Sequence, residues 1–375
     1  MSCITLDEIQ QLLIPLELDE GPAGPDLRDN IAPDSSYQLL RDVRTTARNN
    51  ERSASQLGEE NFIQADDWHP ILDHVPGVLR QESKDIEMVA WYIEALTRKY
   101  GFLGLARGYR LAAGLIEGFG EQLYPRPDED GLTTQLGPLI GLNGYGNEGA
   151  LIVPIKSIII ASSDSLGQLA IWQYEQALET DRISDEKKKA ARLKQGVLSK
   201  AEVEAVAKGT SVAFLKATRK ALSEALEAYQ YFQQVLDQYA TDDPQPSMQV
   251  LDTLKTCEQM LTYVAGDRLQ EEEMVAAEQT TEDVAGDETA EAVSPQAVMT
   301  AAVIANRNDA VKTLQKVADY FRQAEPHSPI SYSIEQIIRW SNLSLPELIA
   351  QLIPDDGARQ KFQTLSGIQP GDTGQ

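Results

Sequence analysis

The sequence predicts an all-α chain of several helical modules. Three observations carry this. Apolar residues recur every three or four positions from Ile86 to Tyr100, as on one buried helix face. A heptad-like seam runs from Leu215 to Tyr239. Between residues 266 and 295 an acidic tract separates two better-patterned blocks. A chain of 375 residues has room for two or three domains of roughly 100–200 residues each.

The bulk properties exclude some functions. Hydrophobic residues make up 42% of the chain, enough for ordinary cores, and the formal net charge is −25. Nucleic acid and anionic membrane faces are bound through clustered Lys and Arg, so this balance argues against both. Cys3 and Cys257 are far apart and read as two reduced thiols, with neither a disulfide framework nor a metal cluster in their spacing. The start, Met1 to Glu8, lacks the basic and apolar regions of a signal peptide. No apolar run approaches the ~20 residues of a membrane span. A cytoplasmic protein without membrane insertion is expected.

In chain order, Ile9 to Leu18 is a short amphipathic segment, followed by the Pro- and Gly-rich loop Gly21 to Leu27. Tyr37 to Arg52 reads as a helix with Leu39, Leu40 and Val43 on one face and Arg41, Arg44 and Arg48 on another. The Arg face is expected to be solvated rather than to hold phosphate. Trp68 precedes the next helix and is expected to anchor its start by burying a large aromatic surface. His69 and His74 lie near Asp66, Asp67 and Asp73. Their spacing of five fits one helix face poorly, and zinc needs three or four convergent ligands, so no metal is expected.

The helix Asp85 to Tyr100 is expected to take Ser83 as its N-cap and Gly101 as its stop. Leu103 to Gly120 follows, with glycines at 104, 108, 114 and 118. Each interior Gly costs ~1 kcal/mol of helix propensity against Ala, a cost offset where helix backbones approach closely. Arg107 and Arg110 rule out a bilayer helix pair, so a tightly packed soluble pair is predicted. Trp68, Val89, Trp91 and the Gly104 to Gly118 face are its expected core. The run Gly141 to Gly149 is glycine-rich but lacks the Gly-Lys-Ser/Thr ending of a phosphate loop, and reads as a structural turn.

Ser165 to Glu179 reads as a helix containing Trp172. Asp185 to Gln195 is a charged helix whose Lys187, Lys188 and Lys189 read as a solvated face. Ser199 and Glu202 form a capping-box signature. Leu215, Thr218, Leu222, Ala225, Tyr229, Phe232, Leu236 and Tyr239 make the first seam, and Val250, Leu254, Cys257, Leu261 and Val264 the second. A Pro-containing turn joins them, predicting a helical hairpin or small bundle. Whether the seam closes within the chain or between chains stays open, with the two Tyr favouring a bundle.

The tract 266–295 holds ten acidic residues against Arg268, with almost no large apolar group. Such a composition predicts a flexible linker. Beyond it, Asn306 or Asn308 can cap a helix bearing Val311, Leu314, Val317, Ala318 and Phe321. Glu325-Pro326-His327-Ser328-Pro329 ends it. A helix with Ile330, Ile334, Ile337, Ile338 and Trp340 follows, then the capping box Ser344 to Glu347. His327 beside Ser328 is poorly placed for a hydrolytic triad, and no Gly-x-Ser-x-Gly elbow exists. No constellation demands catalysis or a cofactor.

The ordered set Asp67-Trp68, Val89-Ala90-Trp91, Leu123-Tyr124-Pro125, Leu142-Asn143-Gly144 and Gly149-Ala150-Leu151-Ile152-Val153-Pro154-Ile155 resembles the N-terminal ImpA domain of the TssA family of bacterial type VI secretion. The run from Asp319 to Tyr332, with Arg339-Trp340 beyond it, resembles the C-terminal domain of many TssA proteins. The resemblance implies four parts: an ImpA-type helical domain over 1–165, a helical hairpin or bundle over 166–265, the linker over 266–295 and a helical oligomerisation domain over 296–375. It implies a non-enzymatic assembly component that binds baseplate, tail-tube and sheath proteins and forms a cyclic homo-oligomer through its C-terminal block. Glu325, Pro326, His327, Ser328, Pro329, Tyr332, Arg339 and Trp340 are the candidate interface residues. A cap or clamp at the far end of the sheath, or a helical adaptor or chaperone outside such a machine, is the alternative.

Overall fold

The computed structural model describes residues 2–57, 62–129, 131–266, 268–269, 314–319, 322, 330–341, 348, 351–352, 355 and 357. They belong to two compact units, Met1–Asp287 and Glu288–Gln375. The chain is mostly helical, with a single two-stranded antiparallel sheet among the described residues.

The first unit opens with α1 (Leu6–Leu12), whose Thr5 and Glu8 close a capping box. Helix α2 (Ser36–Gln56) starts at the hydroxyl of Ser35, which accepts from the Gln38 N–H. Trp68 is wholly buried immediately before α3 (His69–Gln81). Helix α4 (Ile86–Phe119) is two segments broken at Gly101, where φ is +58°. Ser83 is not its cap. The carboxylate of Asp85 accepts from the N–H groups of Glu87 at 2.8 Å and Met88 at 3.2 Å, while the Ser83 hydroxyl donates to the Pro25 carbonyl at 2.7 Å. The reason is position: Asp85 immediately precedes the first helical residue, and its ionised oxygen also complements the helix dipole.

The two segments of α4 fold back on each other. A Cβ at Gly104 would lie 2.0 Å from the Leu96 carbonyl oxygen, and one at Gly108 would lie 2.6 Å from Cγ1 of Ile93. The glycines therefore permit the close backbone approach that the sequence predicts. A Cβ at Gly114 would meet Leu13, just past α1, whereas Gly118 is exposed and faces open space. The packed glycine face thus stops one helical turn earlier than expected.

Helices α5 (Leu132–Asn143) and α6 (Ile152–Lys156) lead into strands β1 (Ile159–Ser163) and β2 (Gly167–Ala170). The helix expected from Ser165 begins only at α7 (Ile171–Asp181). Ile160, Ala161 and Leu169 are buried in the hairpin, and its turn ends at Gly167 with φ +89°, a conformation that favours glycine. The Ser162 N–H leaves the strand to meet the Thr210 hydroxyl at 3.0 Å. Strands this short carry too little period to be read from sequence.

Helices α8 (Glu186–Lys194) and α9 (Lys200–Gly209) precede α10 (Val212–Tyr239) and α11 (Met248–Ala265). The first seam is satisfied within the chain, because α10 packs along α4 and against α11. Leu215, Leu222, Ala225, Tyr229, Phe232 and Leu236 are buried there. The Tyr109 ring of α4 meets Tyr229 edge-on at 4.7 Å and Phe232 at 4.9 Å. The second-seam residues from Val250 to Val264 are buried too, and one core runs from Ile9 to Leu269. No described helix is long and apolar enough to cross a membrane.

In the second unit, residues 314–319 are helical and α12 spans Ile330–Ser341. Arg322 forms an ion pair with Glu335 of α12. Of the acidic tract 266–295, only Gly266 and residues 268–269 are described.

Candidate interaction surfaces

A network of buried charge lies between α2 and α4. Glu94 is fully buried on α4. Its Oε1 accepts from Nε of Arg44 at 2.7 Å and its Oε2 from Nε of Arg48 at 2.9 Å. Glu51 of α2 is buried too and accepts two hydrogen bonds from Arg98, at 2.7 and 2.9 Å. The Arg98 guanidinium lies 4.1 Å from the centre of the Trp68 ring, and the indole N–H of Trp68 donates to Glu51 at 3.0 Å. The expected solvated Arg face is therefore wrong for Arg44 and Arg48. A helix as polar as α2 finds little apolar attachment, and one buried carboxylate about fifty residues downstream, Glu94, takes up its cations. Sequence spacing does not pair residues so far apart, although Glu94, set in the apolar run between Ile93 and Ala95, marks a position that needs a partner.

A second network joins the chain before α2 to the start of α4. Arg28 reaches Asp26 at 2.9 Å, Asp85 at 2.8 Å and Glu87 at 2.6 Å. The Tyr37 hydroxyl donates to Glu87 at 3.1 Å. Lys84 is wholly buried, and its ammonium donates to the carbonyls of Leu12 and Leu79 at 2.7 and 2.6 Å. These carbonyls lie at or near the last turns of α1 and α3, where a cation is favoured. Burial nevertheless lowers the Lys84 pKa to about 8. Every charged group named here has a partner within its network, so these charges hold helices together.

The glycine-rich run after α5 is a structural turn. Oδ1 of Asn143 accepts from the Val250 N–H at 3.0 Å, and Nδ2 donates to the carbonyls of Gly144 and Pro246 at 3.0 and 3.1 Å. The α10–α11 connection is thereby fixed to the end of α5. Of the two early histidines, His69 faces Asp66 at 3.7 Å. His74 lines a groove of about 480 Å³ between α2 and α3, with Leu39, Val43, Asp73 and Glu82. Among the described residues no group of three metal-ligating side chains converges.

For the candidate interface residues, Glu325, Pro326, His327, Ser328 and Pro329 lie outside the described residues. Tyr332 is 64% exposed, and Arg339 is exposed with its guanidinium donating to Gln336 at 2.6 Å. Seven residues apart, these two share a face of α12. Trp340 is half-buried, with its indole nitrogen shielded and without a partner among the described residues. Ile337 is 48% exposed on the same helix.

The sequence model of the family described as ImpA, N-terminal, type VI secretion system matches residues 17–144, the stretch holding both charge networks. Among curated proteins, the chain is 24% identical over 286 residues to the type VI secretion system component TssA1 of Pseudomonas aeruginosa. That alignment covers 76% of this chain and 79% of the relative. Among solved structures, the fold is similar to the N-terminal domain, including the conserved ImpA_N region, of the TssA component from Burkholderia cenocepacia. The TM-score is 0.57 at 23% identity, covering 70% of this chain and 98% of that one.

Proposed function

We propose that this chain, which belongs to the TssA family of type VI secretion, works without catalysis as an assembly component of the secretion machine. It binds baseplate, tail-tube and sheath proteins and primes or guides growth of sheath and tube. The observation that carries the reading is the family match over 17–144. The folded unit supports it: the buried acids Glu51, Glu94 and Asp85 are all occupied by arginines, as suits a scaffold.

In this reading the ImpA-type domain over 1–165 and the hairpin region over 166–265 dock partners. The block 296–375 closes a cyclic homo-oligomer in the cytoplasm, using Tyr332, Arg339, Trp340 and the segment from Glu325 to Pro329. The acidic linker 266–295 tethers the two. Several copies of a weak docking domain on one ring raise the effective concentration without strong single contacts. The exposed Tyr332 and Arg339 on one face of α12 suit an aromatic and cationic anchor.

The test has two arms. Deleting the gene in its own bacterium and imaging a fluorescent sheath subunit should abolish sheath growth, with recovery on complementation. Normal sheaths in the deletion strain would reject the assembly role. Light scattering on the full chain at micromolar concentration should give a discrete oligomer that Tyr332→Ala with Arg339→Glu dissociates. A monomeric wild-type chain would reject the ring.

A further inference from the structure

Charge is distributed unevenly along this acidic chain. Residues 182–220 carry eleven Lys and Arg against four Asp and Glu, a net of +7. The whole chain is at −25, so the remainder stands at −32. The densest part of the basic stretch is α8, which buries none of its residues. It is nevertheless a well-made helix. The Asp185 carboxylate caps it through the N–H groups of Lys187 at 2.9 Å and Lys188 at 3.2 Å.

Two ion pairs fix one side of α8 to α7. Lys189 reaches Asp181 at 2.9 Å and Arg192 reaches Glu179 at 3.6 Å. Lys187 and Lys194, seven apart, share the other side, while Lys188 stands about 100° round the helix from Lys187, four residues before Arg192. All three are exposed and form no ion pair among the described residues. A helix that contributes nothing to the core is thus capped, tethered and turned so that its uncommitted cations face outward.

We propose that this outer face of α8 is a docking surface for a short acidic segment of a partner protein. Charge complementarity selects an acidic ligand, and geometry limits its size. Nine helical residues span ~14 Å, little more than the ~10 Å Debye length at 0.1 M salt. Duplex nucleic acid or an anionic bilayer would extend past the patch onto surface that is strongly acidic overall, and be repelled there. A short acidic peptide would not. This surface does not depend on the secretion assignment.

The probe is a short fluorescein-labelled oligoglutamate peptide, added to the purified full chain at ~0.1 M salt and followed by anisotropy. Binding is expected, weakening as salt is raised. The triple variant Lys187→Glu, Lys188→Glu, Lys194→Glu should bind about tenfold more weakly or worse. The corresponding triple Arg variant, and Lys255→Glu outside the patch, should bind as the wild type does. No binding, salt-insensitive binding, or equal binding by the Glu variant would overturn the proposal. So would duplex DNA or phosphatidylglycerol vesicles binding as tightly as the peptide. Circular dichroism of each variant should match the wild type, since α8 buries no side chain.

Discussion

Glu94 of α4 has no exposed surface, and its Oε1 accepts a hydrogen bond from Nε of Arg44 on α2 at 2.7 Å. Arg48 occupies the second oxygen, and Arg98 stands 3.7 Å away. One buried acid thus neutralises cations from two helices. Glu94→Ala should destabilise the unit by about 3–5 kcal/mol, because Arg44 and Arg48 are left without their counter-charge. Urea unfolding followed by circular dichroism measures this. A loss below about 1 kcal/mol would mean that α2 is held by its few apolar contacts.

The glycines of α4 should divide by position. Gly104→Ala places a methyl 2.0 Å from a backbone oxygen of Leu96, which only a backbone shift can relieve, at a cost of about 1–3 kcal/mol or more. Gly118→Ala enters open space and should stabilise by up to about 1 kcal/mol through helix propensity. Thermal melts of the two variants should move in opposite directions. Equal losses would show that Gly118 also has a packing role.

What the sequence makes legible here is local. The apolar stripe of α4, the stop at Gly101 and the capping box at Ser199 depend on residues a few positions apart, and each stands where expected. The helix pair in α4 is legible because its glycines have no local use. The seam of α10 is legible as a seam, but not its mate: the same spacing serves a coiled coil between chains, and here it packs on α4 and α11. The charge network between α2 and α4 is illegible for the same reason, since Arg44 and Glu94 are fifty residues apart. The β1–β2 hairpin is missed because strands of five and four residues scarcely establish a period. In the C-terminal block, Tyr332 and Arg339 are recognised as helix residues, but periodicity does not say which face meets a partner.

The two cysteines should be inert in the folded chain. Burial pushes the Cys257 thiol up to about 12 and the Cys3 thiol up to about 11. Compared with an ordinary thiol, that leaves roughly a hundredfold less thiolate at Cys3 and roughly a thousandfold less at Cys257 at pH 8. Titration with a disulfide reagent at that pH should label neither site at the rate of free cysteine, and both at once in denaturant. Fast labelling of Cys257 in the native chain would mean that α11 opens readily.

Lys84 gives stability a pH dependence of defined sign. Burial lowers its pKa from 10.5 to about 8. Between those values the unfolded chain holds the proton and the folded chain has released it, so this contribution to stability rises with pH and is complete near 10.5. Below about 8 the folded chain carries the full penalty of a buried charge. The span is about 3 kcal/mol. Cys3 and Cys257 act in the opposite direction above pH 9, because the folded chain keeps thiol protons that the unfolded chain loses. The difference between wild type and Lys84→Met removes their effect. Unfolding free energies measured from pH 7 to 10 should show the wild type gaining on the variant as pH rises. A flat difference would show that the carbonyls of Leu12 and Leu79, at the ends of two helices, hold the ammonium charged despite its burial.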